Sequence, residues 1–98
     1  MASYRLSEYA SKDYESIYVY GVLNFGMQHT DEYAEGMEAR FEQIANQPTL
    51  YPAIDHVRVG YRLSVYKSHS IYYRLDNDQV LIVRIIRSQD VSAALFTS

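Results

Sequence analysis

The histidines and the basic residues are the side chains of this sequence that could bind a metal, transfer a proton or hold an anion. His29, His56 and His69 share no metal-ligand spacing, and no HExxH pair accompanies them. The sequence contains no cysteine, which excludes a thiolate nucleophile, a disulfide framework and a cysteine-based zinc site. It also contains no phosphate-binding loop and no GxSxG or GxGxxG motif. We therefore expect no cofactor, no metal and no catalytic residue.

The charged residues are distributed unevenly along the 98 residues. Residues 1–50 carry three basic and eight acidic side chains, whereas residues 51–98 carry six basic and four acidic ones. The two halves therefore have formal charges of −5 and +2. This asymmetry indicates an anionic partner for the second half, although an ordinary solvated sheet face has the same composition.

The basic residues fall within a predicted sheet. Val57–Tyr66 alternates apolar and polar residues, which predicts a strand with one apolar and one basic-polar face. Further strands are predicted at His69–Leu75 and Val80–Ile86. A three-residue connection, Lys67–His69, between the first two of these strands would keep their apolar residues on one face of the sheet. A slip of one residue would exchange the two faces of a strand.

The predicted register of the meander follows from this connection and from a second one, Asp76–Gln79, in which Asn77 and Asp78 tolerate a positive φ. It places Leu63 opposite Tyr73, and the same reasoning pairs Ile71, Tyr73 and Leu75 with Ile85, Val83 and Leu81. Arg62 then faces Arg74, and Arg84 lies beside Tyr72. Because like charges directly opposite destabilise a sheet, we expect water and salt, an internal carboxylate such as Asp55 or Asp90, or a bound anionic group to offset the two arginines. The predicted polar face comprises Arg58, Arg62, Ser64, Tyr66, Ser70, Tyr72, Arg74, Ile82, Arg84 and Ile86.

Two helices are predicted ahead of this sheet. Ser7 is a suitable N-cap for a helix over Glu8–Phe25, and Gly26 provides a left-handed C-cap before a second helix from about Met27 to Asn46. A short alternating strand at Ser3–Ser7, with Tyr4 and Leu6 directed inward, precedes them. The second half of the first helix is apolar almost all round, which indicates that it is buried on two sides or covered by another chain.

We therefore predict one α+β domain over residues 1–98. An N-terminal strand and an antiparallel helical hairpin pack on a mainly antiparallel sheet, which a three-stranded C-terminal meander completes. No apolar run is long enough to cross a membrane, and the first ten residues lack a signal-peptide core. We therefore expect a cytoplasmic protein with no membrane partner.

Several segments in order resemble the ParE branch of the RelE/ParE toxins. They are YRLSEYASKDYESIYVY, the FxxIAxxP pattern that ends at Pro48, RVGYR at Arg58–Arg62, SHSIYYR at Ser68–Arg74, and VRII at Val83–Ile86. The resemblance covers roughly residues 4–95. It implies the toxin of a type II toxin–antitoxin module, which serves plasmid or chromosome maintenance and inhibits DNA gyrase by binding, without catalysis.

The resemblance also implies a ParD-like antitoxin as partner in a hetero-oligomer, with no direct DNA binding by the toxin alone. The antitoxin's flexible tail would cover the first helix and reach the basic sheet face. We expect the antitoxin to contact Tyr14, Tyr18, Val22, Arg58, Arg62 and Arg74. We assign the anionic-partner or target face to Tyr72, Arg84 and Arg87.

Two alternatives stay open. The chain could be a RelE-like ribosome-dependent mRNA endoribonuclease in which Arg62, Arg74 and Arg84 hold phosphates. It could also be a degenerate toxin that retains only antitoxin binding. The segment after Arg87 contains neither Tyr nor His, the usual acid–base residues of the RelE branch. That difference favours the toxin that acts by binding.

Overall fold

Two helices lie on one face of a four-stranded sheet in the computed structural model, which describes residues 3–88. The strand order is β1-β4-β3-β2, with β1 parallel to β4 and the other neighbours antiparallel. This arrangement confirms the predicted α+β fold. The elements are β1 Tyr4–Leu6, α1 Glu8–Phe25, α2 Met27–Asn46, β2 Arg62–Tyr66, β3 His69–Asp76 and β4 Gln79–Arg87.

The helical hairpin has the predicted limits. The Ser7 hydroxyl accepts a hydrogen bond from the Ala10 amide at 3.0 Å, as expected for an N-cap. Gly26 alone joins α1 to α2, with φ 87° and ψ 164°. The positive φ favours glycine, but the ψ value is extended and differs from the predicted left-handed cap. A one-residue connection holds the end of α1 against the start of α2.

The main core lies between the helices and the sheet. Met37, Phe41 and Ile44 of α2 are buried against sheet residues that include Ile71 and Ile82. Tyr4 and Leu6 of β1 pack against the same cluster, as predicted from their alternation. A smaller cluster of Ile54, Tyr72 and Ile86 is packed with Val57, Tyr61 and Leu63. Both faces of the central strands are therefore covered, which explains why β4 reads as a nearly continuous apolar run.

The predicted register of β2 against β3 is wrong by one residue. Tyr66 pairs with His69 and Leu63 with Tyr72, so only Lys67 and Ser68 connect the strands. Lys67 adopts φ 50° to close this tight turn. Arg62 consequently lies opposite Tyr73, and the predicted pairing of Arg62 with Arg74 does not occur.

Contacts with α2 explain why β2 turns its polar residues towards the helices. Arg40 donates hydrogen bonds to the Ser64 hydroxyl at 2.9 Å and to the Val65 carbonyl at 2.7 Å. Gly36 leaves room on α2 for the Tyr66 ring, because a Cβ there would overlap the Tyr66 hydroxyl. Ser64 is therefore buried, whereas Val65 is 52% exposed, contrary to the predicted faces.

The predicted strand from Val57 begins only at Arg62. Residues 55–60 form turns instead, and Gly60 adopts φ 86°. The Gly60 amide donates to the Asp55 side chain at 2.8 Å, which stabilises the loop. Val57 packs beside the cluster of Ile54, Tyr72 and Ile86, whereas Val59 is 84% exposed, so the two valines do not share the predicted apolar face.

The β3–β4 register is partly as predicted. Ile71 pairs with Ile85, and Arg84 lies beside Tyr72. A bulge between Tyr72 and Tyr73 then shifts the pairs, so that Tyr73 faces Ile82 and Leu75 faces Val80. The predicted partners Val83 and Leu81 are wrong, because one bulged residue displaces every pair on one side of it.

The turn at the other end of this hairpin contains the predicted residues. Asn77 adopts φ 60° between β3 and β4, as expected for a residue that tolerates positive φ. Within residues 3–88, no helix is long and apolar enough to cross a membrane. The apolar tail Val91–Phe96, for which the sequence suggests a helical turn, lies outside the described residues.

Candidate partner-binding site

A groove of about 480 Å³ opens where the end of α1 and the start of α2 meet the end of the sheet. The hairpin contributes its apolar and aromatic wall, whereas the β2–β3 turn and the last residue of β4 contribute its polar end. The lining includes Ile17, Tyr20, Phe25, Tyr33, His69 and Arg87. Its size is within the usual range of ligand-binding pockets.

The apolar wall belongs to a long uncharged segment. Residues 16–30 contain no Asp, Glu, Lys or Arg. Tyr20, Leu23 and Phe25 are 52%, 79% and 61% exposed, so this half of α1 presents large apolar side chains to solvent. Gly21 lets the helices approach closely, because a Cβ there would lie 2.7 Å from the Thr30 hydroxyl oxygen. The close approach holds the wall rigidly beside the start of α2.

The polar end of the groove is organised by Tyr33 and His69. The Tyr33 hydroxyl oxygen lies 2.7 Å from His69 Nδ1. Burial, and then the nearby positive charge of Arg87, lower the pKa of His69 below its usual value. The imidazole is therefore neutral at pH 7, and we assign the Tyr33 hydroxyl as the donor, which leaves the ring hydrogen on Nε2.

The predicted antitoxin contacts on α1 are engaged within the hairpin. The Tyr14 hydroxyl donates to Glu38 at 2.5 Å, and the Tyr18 hydroxyl donates to Asp31 at 2.6 Å. Burial and the Glu38 hydrogen bond raise the pKa of Tyr14. These bonds join α1 to α2, and Val22 is half-buried near them. The large exposed apolar residues of α1 instead include Val19, Tyr20 and Leu23.

The three arginines of the predicted basic surface, Arg58, Arg62 and Arg74, each have a different local contact. The exposed Arg58 guanidinium lies over the Tyr61 ring, 5.8 Å from its centroid. Arg62 donates to the Tyr51 carbonyl at 2.7 Å. Arg74 lies 3.8 Å from Asp76, which is also paired with Arg5 at 2.8 Å. The structure does not bring Arg58, Arg62 and Arg74 together.

The predicted target face is also divided. Arg84 forms a two-point ion pair with Asp13, at 2.8 Å from Nε and 3.1 Å from Nη2. The Asp13 hydrogen bond raises the pKa of Arg84 further. Tyr72 is 1% exposed and offers no free ring for stacking on a base. Only Arg87 of these three is exposed, and it lies at the groove.

The sequence reasoning missed most of the groove. Tyr20, Phe25, Tyr33 and His69 were not among the predicted site residues. The uncharged run over residues 16–30 was the available signal, because so long a run on a surface helix indicates a covered face. The contact of His69 with Tyr33 depends on the packing of α2 against β3 and has no local signature.

Comparisons with known proteins give a consistent assignment. Residues 4–91 match the family model described as ParE toxin of type II toxin-antitoxin system, parDE. Toxin ParE1 of Caulobacter vibrioides is 33% identical over 86 residues, which cover 88% of each chain. Toxin ParE1 of Mycobacterium tuberculosis is 25% identical over 87 residues, which cover 88% of this chain and 89% of that protein.

A solved structure shares the fold. A chain of the chromosomal ParDE toxin–antitoxin system from P. aeruginosa superposes with a TM-score of 0.77. The match covers 89% of this chain and 96% of that chain, at 18% sequence identity. The similarity therefore extends over the helical hairpin and the sheet together.

Proposed function

The chain belongs to the ParE toxins of type II toxin–antitoxin systems, and from that membership we propose that it inhibits DNA gyrase by binding and is neutralised by a ParD-like antitoxin. The membership confirms the resemblance found in the sequence. Gyrase as target, the ParD-like class of the antitoxin and a cytoplasmic location are parts of the proposal. The exposed apolar half of α1 is the observation that carries it, because such a surface requires a partner.

The side chains support binding rather than turnover. Arg62, Arg74 and Arg84 would hold phosphates in the ribonuclease alternative, but they contact the Tyr51 carbonyl, Asp76 and Asp13 respectively. They therefore do not present one array of free cations to an RNA strand, as phosphate recognition requires.

The proposed antitoxin surface is the hairpin face around Tyr14, Tyr18 and Val22 together with the exposed half of α1. Arg58, Arg62 and Arg74 would add separate electrostatic contacts at the sheet. We assign the target contact to Arg87 and its surroundings, which a bound antitoxin would also cover. Arg84 and Tyr72 would support that region through packing.

A pair of assays tests the proposed function. The purified protein is added to a gyrase supercoiling reaction and, separately, to ribosomes that translate a defined mRNA. Loss of supercoiling with intact mRNA is the expected result, whereas mRNA cuts at codon boundaries would contradict it. The product of the adjacent gene should bind the protein tightly and restore supercoiling. If the protein binds that product but inhibits neither reaction, it is a degenerate toxin.

A further inference from the structure

We propose that the groove between Phe25 and Arg87 is the docking site for an antitoxin segment that presents an apolar side chain followed by a carboxylate. The inference rests on the proposed function and specifies the chemistry of the segment. It also moves the main contact from the predicted sheet arginines to the end of the helical hairpin.

The apolar half of the groove fits a single anchoring side chain. Tyr20 and Phe25 are in edge-to-face contact, with ring centroids 6.3 Å apart, and Phe25 also contacts His29 at 5.7 Å. The aromatic cluster is thus pre-assembled although its rings are about half exposed or more. An aliphatic or aromatic side chain of a partner would bury these surfaces without rearranging the helix.

The polar half of the groove offers hydrogen-bond donors. Arg87 is exposed and forms no ion pair with any residue of the described range 3–88. With Nδ1 of His69 engaged by Tyr33, the hydrogen on Nε2 is available to an acceptor. No carboxylate is among the lining residues that the structure describes. An incoming Asp or Glu would supply the missing anion and pair with the guanidinium.

The combination of one cation with an uncharged apolar wall favours an acidic peptide over a nucleic acid as the occupant of the groove. Arg87 is the single arginine of the described lining, and no lysine accompanies it. A single-stranded nucleic acid requires a row of cations along its backbone, whereas one cation beside an apolar wall matches an amphipathic peptide. The uncharged wall over residues 16–30 would also leave phosphates without counter-charges.

Two substitutions and two matched controls test the groove in the full chain. Arg87→Glu reverses the charge at the groove, and Lys12→Glu reverses an exposed charge in the first half of α1, outside the groove. Tyr20→Gln removes a large apolar side chain from the wall of the groove. Leu50→Gln removes an apolar side chain from another surface at a similar exposure, since Leu50 is 56% exposed and Tyr20 is 52% exposed. Affinity for the adjacent-gene product is measured by calorimetry at two salt concentrations, and the melting temperature of each variant verifies folding.

We expect Arg87→Glu and Tyr20→Gln each to weaken binding by about tenfold or more, which corresponds to the loss of one charge-assisted or buried contact. The Arg87 variant should also lose part of the salt dependence, and both controls should bind like the unmodified chain. Unchanged affinity of the folded Arg87 and Tyr20 variants would overturn the groove assignment.

A second readout separates this inference from the proposed function. Failure of the unmodified chain to bind the adjacent-gene product would count against the proposed function itself, and the groove assignment would fall with it. A fluorescent single-stranded RNA oligonucleotide serves as a competing probe. If Arg87→Glu abolishes RNA binding and leaves affinity for the protein partner unchanged, the groove is a nucleic-acid site and the inference is wrong.

Discussion

Replacement of Asp13 should destabilise the fold more than replacement of its ion-pair partner Arg84. The Asp13 carboxylate accepts three hydrogen bonds, two from Arg84 and one from the Ile85 amide at 3.0 Å. β1 pairs with β4 only up to Ile82, so Asp13 takes the place of a neighbouring strand at Ile85. Loss of the carboxylate therefore removes both the ion pair and a backbone contact at the sheet edge.

The expected magnitude follows from the burial of the pair. The Asp13 and Arg84 side chains are only 17% and 23% exposed, so both are partly desolvated. Asp13→Ala leaves the Arg84 charge and the Ile85 amide without this acceptor, which should cost about 2–3 kcal/mol. Arg84→Met keeps the Ile85 contact and the apolar stem, and should cost about 1–2 kcal/mol. Asp13→Asn, which can still accept from the amide, should fall between them.

Urea unfolding followed by circular dichroism measures these differences. For a domain of this size, the loss expected for Asp13→Ala lowers the melting temperature by roughly 10–20 °C. A double-mutant cycle with Arg84→Met isolates the ion-pair contribution from that of the Ile85 amide. If Asp13→Ala costs no more than Arg84→Met, the carboxylate does not stabilise the strand edge and the reasoning is refuted.

Two further substitutions test contacts of α2 and β3. Gly36→Ala should destabilise the chain by about 1–3 kcal/mol, because its methyl group meets the Tyr66 hydroxyl and the ring carbon that carries it. In a Tyr66→Phe background part of that loss should disappear in urea unfolding, and an equal loss in both backgrounds would contradict the contact. His69 has a lowered pKa in the folded state, so the unfolded chain binds its proton more readily. The contribution of His69 to the free energy of unfolding should therefore be fully present above about pH 6.5 and should be lost as the pH falls below that value. His69→Gln should flatten the decrease measured between pH 5 and 8, and an unchanged pH slope would disprove the contribution of this histidine.

Local patterns in the sequence were sufficient for the helices and for the class of fold. Ser7, Gly26 and the three- and four-residue apolar spacing define the hairpin through interactions within a few residues of the chain. The same holds for the turn at Asn77. Such features are predictable because the groups that stabilise them are neighbours in sequence.

The faces of β2 could not be obtained in this way. Alternation places Val65 inside, but the hydrogen bonds of Arg40 and the space beside Gly36 turn Ser64 and Tyr66 inward instead. These contacts join residues about 25 positions apart, and their combined effect exceeds the gain from burying one valine. The predicted pairing of Arg62 with Arg74 was wrong for the same reason, since it depended on the register of β2.

The pairing of β1 with β4 has a consequence for the timing of folding. Tyr4 lies beside Val80, a residue that the ribosome adds 76 positions later. At about 5–20 residues per second, the first strand waits roughly 4–15 s for its partner. Arg87 is synthesised later still, so the docking groove cannot be complete until the last residue of β4 has been added. An antitoxin that recognises this groove would therefore capture the toxin only after β4 has been synthesised.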